Sequence, residues 1–144
     1  MTTIRQFEPG LYSAGQPSPE ELADLAQQGV RTVINLRGTD ETMGFDEAAE
    51  AARLGMDYRA VPIANASQLD RAKIDEFARE LDDARQRGAV LIHCGSANRV
   101  GAAVALQEGW LRGRDAEDAL DAGRAAGLTA LEPVVAGLLS SHSL

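Results

Sequence analysis

The run Ala89-Val-Leu-Ile-His-Cys-Gly-Ser-Ala-Asn-Arg-Val-Gly101 carries the one cysteine of the chain, Cys94, and, after four intervening residues, Arg99. If Ala89 to Ile92 is a buried strand and a helix runs from about Asn98 to Leu111, the thiol falls at the strand end and the arginine in the first helical turn. Backbone N–H groups between them then have no helical partner and can converge on an oxyanion, whose charge the helix N-terminus also favours. The same field favours the thiolate, which is the nucleophilic form of cysteine. Arg99 adds a planar fork able to grip two oxygens of one anion. The bland alternative is that Cys94 is a small buried hydrophobe. Strand, thiol, small-residue loop, arginine and helix in succession argue instead for a thiolate at an oxyanion site. Cys94 and Arg99 are its catalytic candidates, Gly95, Ser96, Ala97, Asn98 and Val100 its anion-binding loop, and His93 the loop's support.

The elements that must position this loop can be read upstream and downstream of it. Ile4 to Phe7 and Leu11 to Ser13 read as short strands around the turn Glu8-Pro-Gly10. Ser18-Pro-Glu-Glu21 is a helix start with a cap, a proline in the first turn and a capping-box glutamate. That helix turns Leu22 and Leu25 inward and stops at Gly29, and Arg31 to Leu36 reads as an inner strand. A helix follows over Asp46 to Leu54, a strand over Met56 to Val61, and a helix capped by Asp70 with Ile74, Phe77 and Leu81 at helical spacing. Beyond the loop, Val100 to Leu111 is apolar on nearly every side and is expected to be a buried central helix. Asp115 to Ala126 and Leu131 to Leu139 complete a helical last third, with the tail from Ser140 expected to fray. Such alternation predicts a three-layer α/β fold, a mostly parallel central sheet flanked by helices, with ligands bound beyond the strands' carboxyl ends.

Composition bounds the partners. A chain of 144 residues, 44% hydrophobic, has the size of one domain, and one domain is expected over 1–144. A net charge of −8 and a pI near 4.7 argue against nucleic acid or an anionic membrane surface as partner. No apolar stretch is long enough to span a membrane, and Met1 to Gly10 lacks a signal peptide's apolar core, so a cytoplasmic address is the expectation. A single cysteine allows no internal disulfide or resolving thiol, so an oxidised or sulfur-loaded Cys94 would need an external thiol to clear it. No metal-ligand spacing and no nucleotide loop is present, and no cofactor is expected. His142 carries no signal, and the oligomeric state is not legible.

Around the loop, several longer segments carry a resemblance. Tyr12-Ser-Ala-Gly-Gln-Pro-Ser, Val33-Ile-Asn-Leu-Arg37, Gly55-Met-Asp-Tyr-Arg-Ala-Val-Pro62 and His93-Cys94, in this order, resemble the phosphatase-like domain of beta-lactamase hydrolase-like proteins. That domain lies within the cysteine-dependent dual-specificity and tyrosine phosphatase superfamily. In the dual-specificity pattern five residues separate Cys and Arg, and here there are four. Rhodanese sulfurtransferases share the shorter spacing but not the upstream order.

The resemblance implies a dual-specificity-phosphatase-like fold, a phosphorylated or other small-oxyanion substrate, and Cys94 as nucleophile with Arg99 closing the loop. It also exposes departures. The family's general-acid aspartate follows the strand here read at Met56 to Val61, and the matching stretch offers Asn65, with Asp70 further on as a helix cap. Val100 stands where those families place a hydroxyl that assists the second step, for which Ser96 is the nearest substitute. Ala97 stands where glycine is common, and alanine would be strained if the position needs a positive φ. Arg37, with Asp40 and Glu41, Gln16 in the Gly-Gln-Pro segment, Asn65 and Asp70 are expected at the pocket rim. Three functions therefore stand at this point: a phosphatase-like hydrolase, a sulfurtransferase working through a Cys94 persulfide, and a non-catalytic anion-binding regulatory module.

Overall fold

In a computed structural model that describes residues 3–41 and 44–141, a five-stranded sheet runs through the middle of the molecule. Its strands are β1 (Ile4–Glu8), β2 (Leu11–Ala14), β3 (Val30–Asn35), β4 (Asp57–Ala60) and β5 (Ala89–His93), in the spatial order β1-β2-β5-β3-β4. Only the β1–β2 pair is antiparallel, which the short turn between them requires; the other pairings are parallel. The helices are α1 (Pro19–Gln27), α2 (Glu47–Arg53), α3 (Arg71–Arg85), α4 (Asn98–Leu106), α5 (Ala116–Ala125) and α6 (Glu132–Ser141).

The strand β5 occupies the centre of the sheet because it is apolar on both sides. Val90, Ile92 and then Cys94 join the core beneath α3 to α6, while Leu91 joins the core beneath α1 and α2. His93 therefore faces the α2 side and Cys94 the α4 side, as the alternation of a strand demands. The helix starts follow local chemistry. Ser18 and Glu21 form the capping box of α1, and Asp46, Asp70 and Asp115 each accept a backbone N–H at the start of α2, α3 and α5.

Two expectations change. The helix after the loop does not continue regularly to Leu111: α4 ends at Leu106 and widens into a π-type turn over Gln107–Leu111, where Arg112 N–H donates to the Gln107 carbonyl at 3.2 Å. A Cβ at Gly109 would overlap Leu139, so the bare glycine lets α6 pack against this turn. Helix α6 also runs on through Ser140 rather than fraying there, and His142 lies outside the described residues. Helices α4 and α5 cross closely because a Cβ at Gly101 would overlap Leu128 and lie 2.7 Å from the Gly123 carbonyl oxygen. That contact sets the α5–α6 connection against the loop that follows Cys94. Among the described residues no helix is long and apolar enough to cross a membrane.

Candidate active site

Cys94 leaves the carboxyl end of β5 with its N–H donating to the Ala14 carbonyl of β2 at 3.2 Å. The side chain is fully buried in the core beneath α4. Burial alone would suit an inert core cysteine; the setting of Arg99 does not. Its Nη1 donates to Glu41 Oε2 at 2.6 Å and to the Ile63 carbonyl at 2.9 Å, and its Nη2 donates to Glu41 Oε1 at 2.9 Å. These three bonds use both Nη1 protons and one on Nη2, leaving Nε–H and the other Nη2 proton as a second, parallel pair of donors. Nη2 lies over the loop, 3.2 Å from where a Cβ on Gly95 would stand. The Glu41 bonds, opposed by burial and joined by the negative charge of a Cys94 thiolate, push the Arg99 pKa up, so the guanidinium is a fixed cation beside the thiol. In return, Arg99, with Gly38 N–H and Arg37, holds the Glu41 carboxyl at about 2 against burial.

Behind the loop a second carboxylate does comparable work. His93 Nε2 meets Glu47 Oε2 at 2.6 Å, with both side chains fully buried, and His93 Nδ1 lies 3.4 Å from the Cys94 carbonyl oxygen. Burial pushes the Glu47 carboxyl up; the hydrogen bond and charge of His93, with bonds from Gln16 and Tyr58, outweigh it and hold the group below its ordinary value. Gln16 Nε2 donates to Glu47 Oε1 at 2.6 Å and Arg37 Nη1 donates to Gln16 Oε1 at 2.8 Å, while Arg37 Nε reaches Glu41 Oε1 at 3.1 Å. The contacts form one unbroken path, Arg99–Glu41–Arg37–Gln16–Glu47–His93, which ends on the residue before the nucleophile. Gln16 and Arg37 thus bind protein groups behind the pocket.

The loop itself is shaped by Ala97, the one non-glycine with positive φ (71°) among the described residues. Left-handed backbone there turns the chain into α4 and is costly for alanine. Gly95 and Ser96 are exposed at the crown of the loop, and Ser96 bridges to Gly15. Asn98 neither caps α4, whose N-cap is Ala97 without a side-chain bond, nor faces the loop interior. Its Oδ1 accepts from Thr129 and Leu131 N–H at 2.9 and 3.2 Å, tying the α5–α6 connection to the loop. Val100 is buried in the core and supplies no hydroxyl.

A cavity of about 400 Å³ opens beside Arg99, walled by Gly38, Thr39, Asp40 and Glu41 on one side and Pro62, Ala64 and Gln68 on the other. Asn65 and Asp70 do not line it. Asn65 accepts from Ser67 N–H at 3.0 Å as the cap of a short 3-10 turn, and Asp70 accepts from Lys73 N–H at 2.8 Å as the cap of α3. Asp40 does line it, and its exposed carboxylate makes no hydrogen bond or ion pair among the described residues. Asp40 and Glu41 stand near the rim, as the sequence leads one to expect, but no local signal in the sequence marks Glu41 as the holder of Arg99 or Glu47 as the partner of His93. Among the described residues no group of His, Cys, Asp and Glu is arranged to hold a metal ion.

The family model described as a DSP-PTPase phosphatase fused to NAD+ kinase matches residues 3–131. A beta-lactamase hydrolase-like protein of Xylella fastidiosa is 36% identical over 102 residues, 68% of this chain and 23% of its own length. The dual specificity protein phosphatase TpbA of Pseudomonas aeruginosa is 27% identical over 120 residues, 82% of this chain and 51% of its own length. The chain thus spans about half or less of these relatives. The structure of TpbA in complex with phosphotyrosine shares the fold, with a TM-score of 0.72 at 23% identity over 96% of this chain and 88% of TpbA. A phosphatase-type protein of Shewanella putrefaciens CN-32 has a TM-score of 0.73 at 25% identity, covering 97% of this chain and 88% of that one. By its matched residues the chain belongs to the DSP-PTPase family named for phosphatase domains fused to NAD+ kinase, within the cysteine-dependent dual-specificity and tyrosine phosphatase superfamily.

Proposed function

We propose that this chain hydrolyses phosphate monoesters with Cys94 as nucleophile and Arg99 as the oxyanion clamp. The observation that carries the reading is the division of Arg99 into two edges. One edge is consumed by Glu41 and the Ile63 carbonyl; Nε–H and one Nη2 proton stay outside those bonds, and Nη2 stands over the loop that starts with Cys94. Donors fixed before the substrate arrives cost no reorganisation as charge builds on the equatorial oxygens. The superfamily's shared fold, and a relative seen in complex with phosphotyrosine, support an aryl phosphate as the substrate type to assay first.

In this reading the thiolate attacks phosphorus, the S–P bond forms, and the ester O–P bond breaks with its electron pair leaving on oxygen. Asp40, on the cavity wall, is placed to give that oxygen a proton from its protonated form. Water then attacks the phosphocysteine, the S–P bond breaks with its electron pair on sulfur, and the Asp40 carboxylate takes a proton from that water, so inorganic phosphate leaves and the thiolate and the acid are both restored. Val100 offers no hydroxyl for this second step, which therefore rests on Arg99 and the loop amides. Phosphate release from phosphotyrosine by the wild-type chain, abolished by Arg99→Ala and poorly restored by Arg99→Lys, is the expected result. Full activity in Arg99→Lys would show that the fork is not used as a fork.

A further inference from the structure

A second cavity, of about 260 Å³, lies against the same loop and is walled by Thr3, Arg5, Gly15, Gly95, Ser96 and Ala97. The strand register places Arg5 opposite Ser13 on β2, and Ser13 opposite Ile92 on β5. Arg5 therefore projects from the same sheet face as Cys94, its Cα two strand spacings or roughly 10 Å from that of Ile92. Its Nη1 is 3.1 Å from the point where a Cβ on Gly127 would stand, and that point is 2.8 Å from the Ala97 carbonyl oxygen. The guanidinium thus reaches the outer wall of the Cys94 loop.

Its pairing there differs from that of the other arginines of the site. Arg99 and Arg37 are both paired with Glu41, whereas Arg5 has no hydrogen-bond or ion-pair partner among the described residues. In a chain of net charge −8, an uncompensated arginine in a polar-walled cavity beside an anion loop attracts a further anion. The Thr3 and Ser96 hydroxyls add neutral donors to the same space.

We propose that Arg5, with Thr3 and Ser96, forms a second anion subsite beside the Cys94 loop, selecting phosphomonoesters whose organic part carries another anionic group. The subsite rests on the reading of the Cys94 loop as a phosphate site, and it names the substrate class that loop serves: compact molecules with two acidic groups rather than a lone phosphate.

The test uses Cys94→Ser, which binds without turning over, and measures by calorimetry its affinity for phenyl phosphate and for 1,2-, 1,3- and 1,4-phenylene bisphosphate at low salt. The expected result is that at least one bisphosphate binds about fivefold or more tighter than phenyl phosphate, beyond the twofold statistical gain, since a charge pair at an exposed site contributes about that much. Arg5→Gln on the same background brings the ratio near two, Arg5→Lys keeps part of it, and added salt erodes it. A ratio within twofold before mutation, a ratio untouched by Arg5→Gln, or no binding of either class overturns the subsite. Wild-type turnover of phenyl phosphate, assayed apart, judges the phosphatase reading: binding discrimination without turnover leaves the subsite standing while that reading fails.

Discussion

Arg99 holds Glu41 through two parallel bonds, at 2.6 and 2.9 Å, on the Nη1–Nη2 edge of its guanidinium. A carboxylate that grips one edge fixes the plane of the other, so Glu41 acts as a positioning residue for the oxyanion clamp. Glu41→Gln keeps the volume and one acceptor but loses the charge and the second strong bond. The expected outcome is a fall in kcat/KM for aryl phosphates of about tenfold to a hundredfold with the fold intact. Glu41 is held at about 2 rather than 4.5, so its stabilising contribution is fully present above 4.5 and is lost as pH falls toward 2. The difference in denaturant midpoint between wild type and Glu41→Gln should be constant from neutral pH to about 5 and shrink below it. A difference that persists unchanged to pH 2 would contradict the ion pair.

Glu47 and His93 form a buried pair immediately behind Cys94. Removing one partner leaves the other without compensation, at a cost of about 3 kcal/mol or more, whereas the amide of Glu47→Gln can keep a hydrogen bond and costs less. Urea unfolding should therefore rank wild type above Glu47→Gln above Glu47→Ala. Equal stability of wild type and the alanine variant would show that the pair holds nothing.

The elements around these carboxylates were legible because their signals are local. Ser18-Pro-Glu-Glu21 and Asp70 announce helix starts, and the apolar runs at Val33 to Leu36 and Ala89 to Ile92 announce inner strands. Cys94 and Arg99 could be paired as a candidate site because both lie in one short loop whose strand and helix are fixed by those signals. Glu41 and Glu47 could not be assigned partners, because each acts across the fold, on residues 58 and 46 positions away. In sequence Glu47 is an ordinary acidic residue in the first turn of a helix, and it is the parallel packing of β3 beside β5 that brings α2 over His93. The partners of Asn98 are hidden for the same reason. Asn98 sits where a cap belongs, yet the crossing of α4 and α5 at Gly101 delivers the Thr129 and Leu131 amides to it first.

Ala97 turns the loop at φ 71°. Glycine there removes roughly 1 kcal/mol of left-handed strain and returns part of it as added freedom of the unfolded chain. Ala97→Gly should raise stability by about 0.5 kcal/mol, visible as a small upward shift in thermal midpoint. A lowered midpoint would mean that the alanine methyl, packed toward Gly127, contributes more than the backbone costs.

Asp40 is the proton donor in the proposed mechanism, and its effect should depend on the leaving group. Asp40→Asn should slow hydrolysis of phenyl phosphate about a hundredfold and of 4-nitrophenyl phosphate much less, because nitrophenolate leaves without help. Equal losses for the two esters would remove Asp40 from the proton-transfer step.

The nucleophile is the centre of the account, and a paired turnover assay on wild type and Cys94→Ser tests it most directly. Each protein is incubated with phosphotyrosine and, separately, with thiosulfate and cyanide. A phosphoryl-accepting Cys94 requires phosphate release by wild type that falls to background in Cys94→Ser, with no thiocyanate from either protein. Phosphate release that survives the substitution, or thiocyanate formation that depends on Cys94, would contradict it.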